Sequence, residues 1–165
     1  MAKDRGLQIV GEQPSDHAAV ETLVTKVFGP GRFVKTAERL RETNEPRLDL
    51  SFVAYDGQRL AGCVRLWPIY IGDAPLVFLG PFAVDPDLRS QGLGARLIDA
   101  ACDAAAAAGE TAILLVGDLA YFSRLGFERT DPAEIQLPGP VDTRRVLIRR
   151  FGVDGVEFKG LVRAG

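Results

Sequence analysis

Hydrophobic residues recur with two periods along this chain and divide it into strands and helices. Residues 7–10 predict a first strand, and apolar residues at helical spacing follow it. Pro14-Ser15-Asp16 marks the start of that first helix, with Ser15 as its cap, and Gly29-Pro30-Gly31 ends it. A second, weaker helix is predicted over residues 34–42.

Strand patterns dominate the middle of the chain. Residues 50–55 and 59–66 flank Asp56-Gly57, a dipeptide typical of a hairpin turn. Proline cannot donate to a sheet ladder, so Trp67-Pro68 predicts a bulge or an edge. Trp67 either lines a pocket there or fills the core.

The most informative stretch covers residues 79–109. An apolar fourth strand breaks at Asp85-Pro86, and a polar turn containing Gly92 and Gly94 leads into a long helix. Unpaired amides at a helix start point outward, the helix dipole favours negative charge, and glycine lets an anion approach the backbone. Arg89 adds a positive charge beside those amides. The stretch therefore predicts a site for a phosphate.

Three kinds of phosphate-binding turn share this shape. A P-loop requires Lys and then Ser or Thr after its last glycine, whereas Ala95 and Arg96 follow Gly94. A dinucleotide-binding turn requires a third small residue, whereas Leu97 occupies that position. The remaining pattern, Arg-x-x-Gly-x-Gly over residues 89–94, resembles the pyrophosphate loop of the GNAT acyl-CoA-dependent N-acyltransferases.

The second half of the chain continues with alternating elements. The helix after the turn ends at Gly109, and residues 111–116 predict a buried fifth strand. A short helix is predicted over residues 119–125, and later strands over 145–151 and 156–162. The residues expected on the buried face of the long helix are Leu93, Leu97, Ala100, Ala101, Ala104 and Ala108.

A second motif, VGDLAYFSRLGF over residues 116–127, is similar to the late segment of the same family, where an aromatic pair on a short helix precedes Gly-Phe. With the order of elements, the two motifs identify residues 1–165 as a single GNAT domain that resembles small bacterial N-acetyltransferases. The resemblance implies an α/β (α+β) fold. Its central mixed, mostly antiparallel sheet splays between the fourth and fifth strands and carries helices on both faces.

The resemblance also implies where acetyl-CoA, a cosubstrate, binds. Amides of Phe82 and Val84, with Ala83 between them, would bond the pantetheine arm, because a splayed strand has lost its neighbour. Arg89 would assist the backbone amides that hold the pyrophosphate, and one of those amides would polarise the thioester carbonyl. The residues that carry these amides are Ser90, Gln91, Gly92, Leu93, Gly94 and Ala95.

Proton transfer to the departing thiolate is left open by the resemblance. Many relatives use a tyrosine four residues before the glycine of Gly-Phe; here that position is Phe122, and Tyr121 precedes it. One helical step turns a side chain by about 100°. Either Tyr121 reaches the sulfur, or Ser123 or a water replaces it, or the step is unassisted and Tyr121 only packs. Asp118 is interpreted as the cap of the short helix rather than as a base.

Composition and charge limit the kinds of partner, compartment and metal site that are expected. The net charge is −2 with both signs interleaved, which argues against a nucleic-acid partner, and no apolar run approaches bilayer length. The N-terminus lacks a signal-peptide core, so a cytoplasmic location is expected. Cys63 and Cys102 are interpreted as small buried hydrophobes and the single His17 as a solvated residue, so no metal site is expected.

Two loops and two pairs of arginines are the remaining candidates. Relatives shape acceptor specificity with loops that correspond to Gly29-Pro30-Gly31 and Pro138-Gly139-Pro140, so these are expected to rim the acceptor pocket. Arg144-Arg145 and Arg149-Arg150 are interpreted as a solvated strand edge rather than as a site for an acidic partner.

Three functional hypotheses follow. The first is an N-acetyltransferase that moves an acetyl or short acyl group from acetyl-CoA to a primary amine, on a small molecule or peptide, by direct attack. The second is a non-catalytic acyl-CoA sensor, because Phe122 stands where an acid is usual. The third is a protein that binds another phosphate ligand such as a nucleotide. The resemblance also implies a homodimer through the late strands.

Overall fold

The computed structural model describes residues 7–29, 36–89, 91–152 and 156–165. In this part of the chain the strands are β1 (Leu7–Gly11), β2 (Phe52–Asp56), β3 (Arg59–Ile71), β4 (Ala74–Val84), β5 (Ala112–Val116), β6 (Glu128–Arg129), β7 (Ile135–Gln136), β8 (Val146–Arg150) and β9 (Gly160–Ala164). The α-helices are α1 (His17–Phe28), α2 (Leu93–Ala107) and α3 (Leu119–Phe122). Of the α-helices in these ranges, none is long and apolar enough to cross a membrane.

One mixed sheet organises the described residues. Its strand order is β1-β2-β3-β4-β5-β8-β6, and β9 pairs with the end of β3 and with β7. The β4–β5 and β7–β9 pairs are parallel and the others are antiparallel. Pairing between β4 and β5 is limited to Val77 with Ile113 and Phe78 with Leu114. The predicted mixed sheet and its splay between the fourth and fifth strands are confirmed.

Helices cover both faces of this sheet. Successive residues of a strand point to opposite faces, and accordingly Cys63 packs with α1 while Val64 packs with α2. The α1 side holds the core of Val20, Leu23 and Val24, and the α2 side holds the larger core around Leu97. The predicted two-sided arrangement is confirmed.

The buried face of α2 is rotated from the predicted one. The residues that the structure buries are Leu93, Leu97, Ile98, Ala101, Cys102 and Ala105. Ala104 is half-buried and packs against this core, Ala100 is half-buried, and Ala108 is exposed, so the predicted face is wrong at Ala108. The run of alanines carries little information about orientation, because each alanine fits either side, and the larger Ile98 and Cys102 decide the rotation.

The start of α1 and the expected second helix also differ from prediction. Ser15 is exposed and caps nothing; instead the Asp16 carboxylate accepts the Gln13 amide at 2.8 Å, and a 3-10 turn precedes the helix. Of the helix predicted over residues 34–42, residues 34–35 lie outside the described residues, and the rest contains one 3-10 turn, Thr36–Leu40. Its Leu40 is buried, as expected.

Strand β3 extends beyond its predicted end and passes through Pro68. This is tolerated because Pro68 lies between the part of β3 that pairs with β2, up to Val64, and the part that pairs with β9, from Ile69. Trp67 is buried, and its indole N–H donates to the Gly80 carbonyl, so Trp67 fills the core rather than lining a pocket. The late strands are shorter than predicted, at Val146–Arg150 and Gly160–Ala164.

Candidate active site

A cavity of about 1240 Å³ opens where β4 and β5 diverge. The last paired residues of the two strands are Phe78 and Leu114. Beyond this pair the strands separate and form opposite walls of the cavity. The end of α1 contributes Phe28, and the start of α2 closes one end. The cavity therefore coincides with the gap that the sequence predicted.

Phe82 and Val84 direct backbone N–H and C=O groups into this gap. The Asp85 amide donates to the Ala61 carbonyl of β3 at 2.8 Å, and alternate residues of a strand face the same side. Val84, opposite Gly62, and Phe82 therefore face away from β3. Within the described ranges, no strand pairs with either residue on that side. The edge of β4 is thus open to a ligand that carries amide groups.

The turn at the start of α2 supplies a group of backbone donors. Gly92 caps the helix in the left-handed region, with φ of 77°, which glycine adopts without strain. The first intrahelical bond runs from the Arg96 amide to the Gly92 carbonyl at 3.1 Å. The amides of Leu93, Gly94 and Ala95 precede it, so they have no partner within the helix, and all three residues line the cavity. These donors suit an anion.

The other three residues predicted for this turn differ in their positions. Arg89 lines the cavity and is exposed. Gln91 is exposed but does not line it. Ser90 lies outside the described residues. The structure therefore brings Arg89 together with the α2 amides beside the open edge of β4.

Gly94 is the point where this turn meets the aromatic wall of the cavity. A Cβ added to Gly94 would lie 2.8 Å from the Tyr121 hydroxyl and 3.0 Å from the Phe82 ring. Contacts this short do not occur for real side chains, so any larger residue would displace one of the rings. Glycine is favoured here because of this close packing rather than because of its backbone angle.

The two adjacent aromatic residues of α3, Tyr121 and Phe122, have different surroundings. Phe122 is buried and packs edge-on against Phe82, Phe127 and Tyr121, with ring centroids 5.0 to 6.1 Å apart. Tyr121 lines the cavity, is 38% exposed, and stacks on Phe82 at 6.3 Å. Partial burial raises the pKa of Tyr121, which keeps its hydroxyl protonated near neutral pH.

Ser123 and Asp118 have mainly local partners. The Ser123 hydroxyl donates to the Ala120 carbonyl at 3.4 Å, and Ser123 does not line the cavity. Asp118 does line it, but its carboxylate caps α3 by accepting the Ala120 amide at 3.4 Å. The interpretation of Asp118 as a helix cap agrees with this geometry.

Two ion clusters hold the elements around the cavity in place. Asp85, 3% exposed at the end of β4, pairs with Arg59 at 2.7 Å and with Lys26 of α1 at 3.2 Å. The Asp87 amide and these two cations lower the pKa of Asp85 to about 2. Asp85 thus ties the strand that precedes the turn at the start of α2 to helix α1.

The second cluster anchors the beginning of α1. The Arg65 guanidinium of β3, 4% exposed, contacts the buried Glu12 carboxylate at 2.7 Å and Glu21 of α1 at 3.4 Å. His17 is exposed and its Nδ1 lies 3.3 Å from Arg65 Nη2. The end of α1 lines the cavity, so this cluster helps to position one wall.

The cysteines are not part of the site. Cys63 and Cys102 are both buried, and burial raises their thiol pKa values to about 12 and about 11. Such thiols are unreactive near neutral pH, which confirms their interpretation as core residues. In the described ranges, no three His, Cys, Asp or Glu side chains form a group that could hold a metal ion.

Three arginines that the sequence did not assign to the site line the other end of the cavity. Arg39 and Arg41 come from the Thr36–Leu40 segment and the residue just after it, and Arg145 comes from the residue before β8. Arg145 is exposed, as its interpretation as part of a solvated edge predicts, and it also lines the cavity, which that interpretation did not include. The loop Pro138-Gly139-Pro140 pointed to this end of the cavity, because Pro140 lines the cavity as expected of a pocket rim. Of the other predicted rim, residues 30–31 lie outside the described residues.

Comparison with known proteins assigns a class to this arrangement. The model of the Acetyltransferase (GNAT) family matches residues 17–127, which is more than half of the chain. The chain therefore belongs to the GNAT acetyltransferase family.

Individual relatives extend the likeness to nearly the whole chain. It is 29% identical over 155 residues to the uncharacterized N-acetyltransferase YhbS of Escherichia coli K12, covering 92% of each protein. The crystal structure of Escherichia coli YhbS in complex with CoA has a TM-score of 0.80 at 28% identity and covers 96% of this chain and 89% of that one. A GNAT family acetyltransferase from Brucella melitensis, in complex with acetyl-CoA, has a TM-score of 0.68 at 24% identity over 96% of both chains, which shows the shared fold.

Proposed function

We propose that the protein is an acetyl-CoA-dependent N-acetyltransferase that acts on a primary amine by direct attack. The observation that carries the proposal is the open edge of β4, which leads to the unpaired amides at the start of α2. The binding of CoA by the related YhbS, stated for that protein, supports the same ligand here.

The residues of the gap fit the parts of coenzyme A. Backbone groups of Phe82 and Val84 match the amides of the pantetheine arm, since both offer alternating donors and acceptors. The amides of Leu93, Gly94 and Ala95, together with Arg89, match the charge and acceptor oxygens of the pyrophosphate. Acetyl-CoA supplies an activated thioester when bound.

The chain contributes orientation and electrostatics to the reaction. Backbone donors along the gap stabilise negative charge that develops on the carbonyl oxygen during attack. Of the two hydroxyls considered for the departing sulfur, Tyr121 lines the cavity and Ser123 does not. Tyr121 is therefore our choice of proton donor, and the raised pKa of its hydroxyl keeps the proton available.

Calorimetry with acetyl-CoA and a thiol-release assay test the proposal together. We expect saturable acetyl-CoA binding, and thiol release when the correct member of a panel of amines and peptides is added. Absence of binding at millimolar acetyl-CoA would contradict the whole proposal. If ATP displaced the bound acetyl-CoA and CoA did not, a nucleotide-binding protein would be favoured instead.

Tyr121→Phe separates proton donation from packing. An acid role predicts a fall in kcat with an unchanged KM for acetyl-CoA, by about 10- to 100-fold as is usual for the loss of general acid catalysis. A packing role predicts that kcat and KM both stay unchanged, because the phenylalanine ring still stacks on Phe82. Tyr70→Phe, which removes a hydroxyl from β3 outside the cavity lining, is the matched control.

A non-catalytic acyl-CoA sensor is the second candidate. It is favoured by Phe122, a residue without a proton to donate, which is buried at the position where many relatives carry an acid. A sensor would bind acetyl-CoA without releasing thiol for any acceptor. Turnover with one acceptor would exclude it.

The proposal also includes a cytoplasmic location and a homodimer through the late strands. Two buried, unpaired thiols are compatible with a reducing compartment. Light scattering tests the assembly, and a monomeric mass at micromolar concentration would contradict the dimer.

A further inference from the structure

We propose that the acceptor amine also carries a carboxylate or another anionic group, which Arg39 and Arg145 bind. This inference rests on the proposed function, because it names the class of acceptor that the same cavity takes. The anion site does not use the backbone donors of β4 and α2 described above. It depends on side chains at the other end of the cavity.

The segments that carry the two arginines lie away from the turn at the start of α2. Arg41 lies two residues after Arg39 in the chain. A Cβ added to Gly80 would lie 3.1 Å from the Nη1 atom of Arg41. Gly80 is four residues before Val84 on β4, which corresponds to about 13 Å of strand. On the opposite wall, the Arg145 carbonyl accepts the Gly117 amide at 2.8 Å, three residues after Leu114 on β5.

Hydrogen bonds join the segments that carry these arginines into one surface. Arg39 Nη1 donates to the Pro138 carbonyl at 2.6 Å, and the Thr36 hydroxyl donates to the Pro140 carbonyl. A Cβ added to Gly139 would lie 2.7 Å from Arg39 Nη1, so the glycine leaves room for the guanidinium. The arrangement holds Arg39 against the loop that leads to Arg145.

Other cations at this end are already neutralised by carboxylates. Arg41 pairs with Glu38 at 2.6 Å, and both side chains are largely buried. Asp142, which lines the cavity, pairs with Arg144 at 3.0 Å, and Arg145 adds a smaller electrostatic contribution to lowering the pKa of Asp142.

Arg39 and Arg145 form no ion pair with any carboxylate among the described residues. Asp118, the other carboxylate that lines the cavity, caps α3. A guanidinium offers five N–H donors in a fixed plane, and the bond from Arg39 to Pro138 uses one of them. Two such groups facing a cavity that receives an amine match an acceptor with a carboxylate, which accepts paired bonds from a guanidinium.

Amino acids and their decarboxylated amines provide paired probes. Thiol release from acetyl-CoA is measured with tyrosine and tyramine, histidine and histamine, and lysine and cadaverine, and with phosphoethanolamine and ethanolamine as the phosphate arm. In at least one pair, we expect the member that carries the carboxylate or phosphate to have a kcat/KM about 10-fold or more above that of its partner, as charge-assisted hydrogen bonds provide. The arm that shows this preference identifies the anion.

Substitutions assign the preference to the arginines. Arg145→Gln and Arg39→Gln should lower kcat/KM for the member that carries the carboxylate or phosphate by about 10- to 100-fold and leave that for the partner without this group unchanged. Arg145→Lys should restore part of the loss. Arg129→Gln, the same change of charge on an exposed strand outside the cavity lining, should alter neither value.

Three outcomes overturn the inference. One is equal kcat/KM within every pair. Another is a loss in Arg145→Gln that appears for both members. The last is an Arg145→Gln variant that binds CoA more weakly but dephospho-CoA normally in calorimetry, since Arg145 would then bind the 3′-phosphate of the cofactor.

Failure of the proposed function is distinguishable from failure of this inference. If the protein binds CoA but releases no thiol with any amine, the N-acetylated amino acids are titrated calorimetrically into the CoA-saturated protein. Binding that Arg145→Gln abolishes supports the anion site even without catalysis. Absence of binding overturns it.

Discussion

Gly92→Glu is expected to abolish CoA binding through its charge rather than through loss of the turn. Gly92 has φ of 77°, and any side chain in that region costs about 1–2 kcal/mol of stability. A Cβ at Gly92 would meet no atom within 4 Å, so a longer side chain enters open space beside the Leu93 and Gly94 amides. A carboxylate about 4 Å from a phosphate charge opposes binding by about 4 kcal/mol at the effective dielectric of a protein surface, or about a thousand-fold in affinity before screening by salt.

Gly92→Gln is the matched control, because it imposes the same backbone strain and nearly the same volume without the charge. Calorimetric titration with CoA at two ionic strengths measures both variants. We expect the Glu variant to bind at least about 30-fold more weakly than the Gln variant, with a smaller difference at high salt, since the Debye length shortens from about 10 Å at 0.1 M to about 3 Å at 1 M. Both variants should unfold at the same lowered temperature.

Equal CoA affinities in the Glu and Gln variants would refute the electrostatic reasoning, because no phosphate would then lie beside Gly92. Wild-type affinity in both would remove the turn from the CoA site altogether. A loss of the same size in both variants, matching their loss of stability, would show that the turn matters only through its conformation.

Three further predictions concern the surroundings of the cavity. Asp118→Asn should leave kcat within about twofold across pH, because asparagine caps a helix as well as aspartate does. A loss of kcat that is large near neutral pH and lessens as rising pH deprotonates the acceptor amine would make Asp118 a base instead. Arg65→Met should lower the free energy of unfolding by about 3–5 kcal/mol, since Glu12 stays buried without its partner; denaturation by urea measures this, and a change below about 1 kcal/mol would mean that Glu12 is not desolvated. The pKa of Asp85 is lowered from 3.8 to about 2, so the folded state binds fewer protons and the stabilisation is present above pH 3.8 and lost as the pH falls through 2. Acid unfolding of Asp85→Asn should therefore depend less on pH in that interval, and an unchanged profile would contradict the assignment.

The sequence predicted the features that depend on neighbouring residues. The strand, the glycine turn and the helix over residues 79–109 follow from local rules of hydrogen bonding and backbone freedom, and so does the hairpin at Asp56-Gly57. The same local rules predicted that Asp118 caps the short helix. Errors arose where several residues satisfy a local rule equally well, as with Ser15 and Asp16 at the start of α1.

Orientation could not be predicted in the same way. The alanines of α2 fit on any face, and only contact with the sheet showed that Ile98 and Cys102 are buried while Ala108 is exposed. Likewise, the sequence does not show which of the two adjacent aromatic residues on α3 is buried. Packing against Phe82 and Phe127 places Phe122 in the core and leaves Tyr121 at the cavity.

By itself the amino-acid sequence determined the family, the order of elements and the turn that suits a phosphate, because each depends on residues close together in the chain. The tertiary structure decided which distant groups meet: Arg65 with Glu12 across 53 residues, and Arg39 with Pro138 across 99. It also placed the exposed Arg145 in the lining of the cavity. Charges separated this far along the chain come together only through the pairing of strands and the packing of helices on the sheet, and such contacts leave no periodic signal in a single sequence.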